Sequence, residues 1–212
     1  LFANLAHNKN KILKISESLK AYNDRVKDHF ANSNRFDGSN TKPFTQYVEG
    51  GSLTSIWGVP SLGIDPATGN EIFVRPDGSI TSAWNTGDQV VLGDSEPKVQ
   101  GTFGVNATWK NLSLYMTFMY EAGGQIYNST LVDKVEDVNV YTSNVDKRVL
   151  TERWKNPGDK ARYRKLVSGV GGSIMRTRPT SRCVEDNNVL TLNSVSLGYD
   201  FDAGQKWMKT IG

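Results

Sequence analysis

Hydrophobic and polar residues alternate most regularly between residues 102 and 120. Every second residue is apolar over 103–109, and the alternation resumes over 112–120 after the polar pair Lys110 and Asn111. A period of two on both sides of a two-residue polar turn is typical of an antiparallel β-hairpin. The pattern therefore predicts two paired strands with one continuous apolar face and one face that is mostly small or polar.

A third strand is predicted over 191–201, with an apolar face formed by Val195, Leu197, Tyr199 and Phe201. Leu190 and Leu192 fall out of phase with that set, which indicates a β-bulge, or a stretch above a membrane, near Asn193. The first residues of the chain, 1–15, are compatible with a fourth strand that leads into a polar run.

The alternation alone does not say what covers the apolar faces, because a soluble β-sandwich has the same period with its apolar residues in the core. The aromatic residues favour a membrane β-barrel. Trp109 lies beside the short turn and Tyr120 at the far end of the hairpin, where barrels place aromatic rings at the two membrane interfaces. In that interpretation the lipid-facing residues are Phe103, Val105, Ala107, Trp109, Leu112, Leu114, Met116, Phe118, Tyr120, Val195, Leu197, Tyr199 and Phe201.

The connections between these strands are very unequal in length. A helix is predicted over 16–30, strands interrupted by strong turn sequences are predicted within 52–92, and helical patches are predicted near 130–137 and 146–155. One turn has two residues, whereas the other connections run to roughly 50 and 80 residues, which is uncommon in compact soluble domains. Outer-membrane barrels combine short periplasmic turns with long extracellular loops.

Composition excludes several classes of protein. The chain has 25 Lys and Arg against 22 Asp and Glu, scattered along the sequence, which is too weak an excess for a nucleic-acid surface. Only 37% of the residues are hydrophobic, and no stretch approaches the ~20 apolar residues of a transmembrane helix. Cys183 is the single cysteine, so an intrachain disulfide is excluded, and we expect it to be a small, partly buried apolar side chain.

No set of residues with catalytic spacing is present. His7 and His29 have no nucleophile partner at a recognisable distance in the sequence, so we predict neither an enzyme nor a cofactor. Asp65, Glu71 and Asp77 carry oxygens of the kind that calcium prefers, but the EF-hand spacing is absent. We therefore expect these residues to form turns and predict no metal site.

Aromatic and basic residues in the long connections are candidates for binding. Aromatic faces are common platforms for sugars and peptides, so Trp57, Trp84 and Tyr127 are predicted to contact a substrate. Packing within the loops, or against a partner protein, is the alternative for each of them, and for Trp154. A basic cluster either faces anionic lipopolysaccharide or a partner protein, or is a solvated loop surface. Its members are Arg162, Arg164, Lys165, Arg176 and Arg178.

Several short motifs occur in an order that is more specific than any one of them. They cover residues 47–50, 62–69, 93–98, 123–128, 148–154 and 182–199. Their succession resembles the late barrel of SusC/RagA-type TonB-dependent outer-membrane transporters. The resemblance implies a barrel of about 22 strands with an N-terminal plug, energised through the TonB complex. It also implies a SusD-like surface lipoprotein as a lid and an oligosaccharide or peptide as cargo.

Together these observations predict an all-β fold, a fragment of a transmembrane antiparallel β-barrel with about four strands and long extracellular loops that carry short helices. Strands are expected near 1–15, 97–109, 112–127 and 183–202, and extracellular insertions near 16–96 and 128–182. The expected function is part of an importer in the cell outer membrane of a Gram-negative bacterium, in contact with outer-membrane lipid. The alternative is a soluble secreted β-rich binding module, either an adhesin or a carbohydrate-binding domain. Because no plug or early strand is evident, we expect the chain to be part of a longer protein.

Overall fold

The computed structural model describes residues 1–32, 41–138, 140, 144–166 and 177–201. In chain order the strands are β1 (Phe2–Ala3), β2 (Ser55–Gly58), β3 (Ser61–Ile64), β4 (Glu71–Val74), β5 (Ile80–Thr81), β6 (Val90–Asp94), β7 (Val99–Trp109), β8 (Leu112–Tyr127) and β9 (Val184–Tyr199). The α-helices are α1 (Glu17–Asn32), α2 (Ser129–Leu131) and α3 (Arg148–Thr151). Thr86–Asp88 and Ser181–Cys183 form 3₁₀ turns, and Val132–Glu136 forms a π-helical turn.

The chain divides into two compact units. The first comprises residues 1–9, 97–124 and 187 onward, and the second comprises residues 10–96 and 125–186. The first contains most of a four-stranded sheet with the order β1-β7-β8-β9. The described residues are thus mostly β-structure with antiparallel sheets, as predicted, and the four-stranded sheet is open.

The predicted hairpin is confirmed residue by residue. β7 and β8 pair antiparallel without a register shift, from Val99 opposite Ala122 to Trp109 opposite Leu112. Lys110 adopts a φ of +53° in the two-residue turn, and a positive φ at that position gives the turn the same twist as the strands it joins. The Lys110 ammonium lies 4.9 Å from the centre of the Trp109 ring.

The described residues leave the apolar face of the sheet without a covering layer. Phe103 lies opposite Phe118, and Val105 lies opposite Met116, so the predicted alternation does place these side chains on one face. None of the thirteen predicted lipid-facing residues is buried, and Phe103 is 37% exposed. Side chains on this face partly shield one another, since the Phe103 and Phe118 rings stack with their centroids 5.1 Å apart.

The opposite face carries a close contact around Gly104. Phe2 pairs with Gly104 across β1 and β7, and its ring stacks on Tyr115 with centroids 6.2 Å apart. A Cβ on Gly104 would lie 2.4 Å from the Phe2 ring. Glycine therefore lets this aromatic ring approach the backbone of β7 closely.

The first strand is shorter than the 1–15 expected from the sequence. β1 covers Phe2–Ala3, and its pairing with β7 continues through the hydrogen bond from the Ala6 amide to the Gln100 carbonyl, 2.7 Å. Beyond that point the backbone has other partners. Ile12 donates to Gly51 at 2.9 Å and accepts from Gly50 at 2.8 Å, which explains why the strand does not continue.

The other predicted elements are found with small changes at their ends, of the size common for such boundaries. β7 and β9 begin at Val99 and Val184, and β9 continues to Tyr199 through Asn193, near which a bulge or a stretch above a membrane is predicted. The helix predicted over 16–30 is α1, whose start is capped by Ser16. The Ser16 hydroxyl accepts from the Leu19 amide at 3.4 Å, as is typical of a helix N-cap.

The second unit contains both long insertions. β2 pairs with β6, and β3, β4 and β5 form a three-stranded sheet. The first predicted helical patch corresponds to α2 and the π-helical turn, and the second corresponds to α3. Its buried apolar cluster consists of Leu131, Val135, Val138, Val149 and Tyr163. Among the described helices none is both long and apolar enough to cross a membrane.

The two insertions are joined by backbone hydrogen bonds. Val59 and Thr180 are fully buried and form a parallel bridge. The Val59 amide donates to the Pro179 carbonyl at 3.0 Å, and the Ser181 amide donates to the Val59 carbonyl at 3.1 Å. Segments that are more than a hundred residues apart in the sequence therefore fold as one unit.

A turn in the first insertion is fixed by an aromatic ring from the second. Asp65 holds the turn itself, accepting from the Thr68 hydroxyl at 2.6 Å. The Trp154 indole donates to the Pro66 carbonyl at 2.8 Å. Gly69 has a φ of +70°, and a Cβ there would lie 2.5 Å from the Trp154 ring.

We expect Gly69→Ala to lower the free energy of unfolding more than Gly78→Ala. Both glycines have positive φ, so each alanine suffers left-handed strain of about 1–2 kcal/mol. A Cβ on Gly78 meets nothing within 4 Å, whereas at Gly69 it collides with Trp154, which adds about 1–3 kcal/mol. Chemical denaturation followed by tryptophan fluorescence measures the difference, and equal losses would show that the Trp154 contact does not matter.

Candidate functional site

A cluster of buried charges connects the two insertions. Arg182, held in a 3₁₀ turn, donates from Nε and Nη2 to both carboxylate oxygens of Glu71 at 2.9 Å. The same Nη2 donates to Glu136 Oε1, also at 2.9 Å. Glu71 begins β4, and Glu136 ends the π-helical turn. A single guanidinium thus binds a strand of the first insertion to a helix of the second.

Asp137 extends this cluster toward residue 177. Its side chain is 0% exposed and accepts from Arg164 Nη2 at 2.8 Å. It also accepts from the Thr177 amide at 2.8 Å and from the Thr177 hydroxyl at 2.9 Å. Arg153 donates to the backbone carbonyls of Val135 and Glu136, where the end of a helix leaves carbonyls without partners.

The cluster is electrically balanced. It contains three arginines and three carboxylates: Arg153, Arg164, Arg182, Glu71, Glu136 and Asp137. Burial lowers the pKa of Arg153. Burial also lowers the pKa of Arg182, but its hydrogen bonds to Glu71 and Glu136 outweigh that effect and raise the pKa overall. Since these groups bind one another, the arrangement is suited to holding the insertions together.

A cavity of about 240 Å³ lies beside the cluster. Its lining residues are Gly69, Asn70, Glu71, Phe73, Ser82, Trp84, Arg164, Lys165, Thr177 and Arg178. We call it the Trp84 cavity. The Trp84 indole donates to the Pro179 carbonyl at 3.2 Å, and the Arg178 guanidinium lies 5.2 Å from the centre of its ring. Burial lowers the pKa of Arg178.

The three aromatic residues predicted to contact a substrate lie in different places. Trp84 lines the cavity named after it, whereas Tyr127 lines another cavity of about 270 Å³ and donates its hydroxyl to the Thr41 carbonyl at 2.8 Å. Trp57 lies in β2, and its buried indole N–H has no hydrogen-bond partner within the described part of the chain. Their contact with a substrate stays a prediction.

The basic cluster is not the uniform surface expected from the sequence. Arg164 is only 12% exposed and pairs with Asp137 and Glu136, so for this residue both alternatives were wrong. Arg162 is exposed, and Arg176 lies outside the described residues. No local pattern indicates the burial of Arg164, because its carboxylate partners come from a separate segment of the chain.

The residues considered for calcium have other partners. Asp65 and Asp77 accept hydrogen bonds within their own turns, as expected. Glu71 was expected in a turn but begins β4 and pairs with Arg182. In the described ranges no three side chains of the metal-binding types converge. The His7 ring bonds to the Lys98 carbonyl, and the His29 side chain lies outside what the structure describes.

Comparisons with known proteins agree with the resemblance found in the sequence. No protein-family model matches the chain. TonB-dependent receptor P3 of Formosa agariphila is 24% identical over 205 residues, which is 93% of this chain and 19% of that protein. The chain therefore spans about a fifth of the length of this relative.

Three solved structures contain a part with the same fold. The RagAB peptide transporter gives a TM-score of 0.65 at 22% identity over 93% of this chain and 20% of that chain. The RagAB peptide importer gives TM-scores of 0.66 in an open-open state and 0.67 in a closed-closed state, at 23% and 24% identity. Both comparisons cover 96% of this chain and 20% or 21% of the other. The predicted resemblance to SusC/RagA-type TonB-dependent transporters is confirmed.

We expect Arg182→Met to destabilise the second unit strongly. Removal of the guanidinium leaves Glu71 and Glu136 buried without their shared cation, and breaking a buried ion pair in this way costs about 3–5 kcal/mol. Thermal and chemical unfolding measure the loss. Arg148→Met is the control, because it removes the partly exposed pair with Asp146 and should change the stability little.

A double-mutant cycle separates the ion pair from a general effect of each substitution. The two single substitutions each lower the free energy of unfolding. In the variant with both Arg182→Met and Glu71→Leu, the loss should be about 0.5–3 kcal/mol smaller than the two single losses added together. Strict additivity would mean that Arg182 and Glu71 do not stabilise each other.

Proposed function

We propose that this chain forms part of the wall and part of the extracellular vestibule of a TonB-dependent importer in the cell outer membrane of a Gram-negative bacterium. The observation that carries the proposal is the uncovered apolar face shared by β7 and β8. Alternating side chains on that face leave hydrophobic groups partly exposed, which is unfavourable in water and favourable in lipid.

The strand dimensions support this assignment. β7 has 11 residues and β8 has 16, and a strand that crosses a bilayer needs about 9–11. Every backbone N–H and C=O group in lipid must have a protein partner. β7 and β8 each have a strand on both sides, and in a closed barrel further strands would pair with β1 and β9.

The insertions would form the extracellular part. Each is far longer than the two-residue turn between β7 and β8, and outer-membrane barrels place their long loops outside the cell. Import involves no covalent chemistry in this part of the protein, so we propose a role in binding and passage of cargo and no enzymatic activity.

The proposed partners follow from the resemblance. A SusD-like surface lipoprotein would close over the extracellular side, and the TonB complex would act through segments that precede these strands in such transporters. The structurally similar RagAB is a peptide transporter, which supports peptides over oligosaccharides as cargo. Trp57, Trp84 and Tyr127 are the proposed cargo contacts, and Trp84 has the strongest support because it lines a cavity beside the charge cluster.

We expect Val105→Arg, but not Asn106→Arg, to prevent assembly of the complete protein in the outer membrane. These neighbours lie on opposite faces of β7, and arginine on a lipid-facing position costs up to about 2–4 kcal/mol. The amount of heat-modifiable, folded protein in the outer-membrane fraction measures assembly. Asn106 is exposed on the other face, so its arginine variant is the matched control.

The rival function, a soluble secreted β-rich module that binds a surface or a carbohydrate, predicts a different result. Such a module would purify without detergent as a folded monomer with a cooperative melt. That behaviour, or equal assembly of the Val105→Arg and Asn106→Arg variants, would refute the importer.

A further inference from the structure

We infer that an apolar patch on the inner face of the four-stranded sheet is the surface on which the plug of the complete protein docks. The inner face is the one opposite the predicted lipid-facing residues, and we call this patch the lumen patch. Its members are 40–65% exposed: Phe2, Tyr115, Met119, Leu190 and Leu192. The inference rests on the proposed function, because it says which segment of the importer covers the face of the sheet that lies away from lipid.

The register of β9 against β8 is the first step. At one end of β9 the Asp200 amide donates to the Asn111 carbonyl at 2.8 Å. Toward the other end the Gly123 amide donates to the Asn188 side chain at 2.8 Å. Both chains advance by the same number of residues between these contacts, from 111 to 123 and from 188 to 200. This register leaves no net extra residue for a bulge near Asn193.

The same register places two leucines of β9 on the inner face. A Cβ on Gly198 would lie 2.6 Å from the Ser113 hydroxyl, so residue 198 shares a face with residue 113. Because side chains alternate along a strand, Leu192 and Leu190 lie on that face too, and Leu192 is opposite Met119. These leucines are out of phase with the lipid-facing set because they belong to the other side of the sheet.

The lumen patch has the composition of a contact between proteins. Aromatic residues and methionine are enriched in such contacts, and charged residues are depleted at their centre. Within the described stretches 100–108, 113–121 and 190–198, the inner face carries one charged residue, Glu121. A wet lumen would favour a polar wall, so exposed leucine and aromatic side chains on this wall indicate a partner that covers them.

The extent of the patch favours a folded segment over a bound cargo. From Tyr115 to the row of Leu190 the patch covers about 20 Å along the strands, and from β1 to β9 it covers about 14 Å across them. Barrels of about 22 strands have a lumen too wide for their own side chains to fill and are plugged. This chain covers 19% of TonB-dependent receptor P3, so most of such a protein is left to supply the plug. A cargo that passes through would uncover the patch after each transport event.

The test compares Leu192→Asp with Leu192→Met in the complete protein, purified in detergent from the outer membrane. Hydrogen exchange followed by mass spectrometry measures the opening of the plug separately from that of the barrel. Aspartate replaces an apolar contact with a charge, so peptides from the plug should exchange about 10- to 100-fold faster. Barrel strands, and the plug of the Leu192→Met protein, should exchange as in the unaltered protein.

Thr108→Asp is the matched control, because it adds the same charge at an exposed position of the inner face outside the lumen patch. It should leave exchange of the plug unchanged, and heat-modifiable migration shows that each variant has a folded barrel. Unchanged exchange of the plug in a folded Leu192→Asp protein would overturn the inference, as would equal acceleration by Thr108→Asp. Failure of Leu192→Asp to assemble, as expected for Val105→Arg, would also contradict it, because residue 192 would then face lipid.

Two further outcomes separate this inference from its alternatives. If Leu192→Asp abolished the calorimetric binding of a peptide and left exchange of the plug unchanged, the patch would be a cargo site and the docking of the plug would be wrong. A complete protein that folds without detergent would contradict the importer itself. Failure of the lumen patch, in contrast, is observed in a protein that does assemble in the outer membrane.

Discussion

The pairing register of β7 with β8 determines what each face of the main sheet presents. Because side chains alternate between faces, a slip of one residue would replace the apolar side chains of one face with side chains that are mostly small or polar. The two-residue turn at Lys110 and Asn111 prevents such a slip by placing Trp109 opposite Leu112. The same register brings Gly104 opposite Phe2, so the contact on the other face depends on it too.

The second unit depends on a different kind of interaction. Its apolar cluster is small, and long-range polar contacts contribute to joining the two insertions: the backbone bonds of Val59 and the ion pairs of Arg182. Glu71 and Phe73 project from the same side of β4, so the bond that holds Glu71 also positions Phe73. The buried charges therefore stabilise the second unit and also help to shape the cavity.

Local patterns in the sequence predicted the hairpin, α1 and the turn at Asp65, because each is encoded by residues that are close together in the chain. They could not predict the partner of Glu71, since Arg182 lies 111 residues away and no periodicity connects the two. The burial of Arg164 could not be predicted either, because its partners Glu136 and Asp137 lie in a separate segment of the chain. The first strand was overestimated because Ile12 bonds to Gly50 and Gly51, a contact without any sign in residues 1–15.

Dissolved salt should act differently on the architecture of the second unit and on what it attracts. Buried ion pairs are screened little, whereas exposed charges lose most of their reach beyond about 8 Å at physiological ionic strength. The Arg182 and Asp137 pairs are enclosed by protein, so the insertions should keep their shape in both dilute and saline surroundings. Exposed charges such as Lys160 should, in contrast, attract a distant anion less strongly as salinity rises.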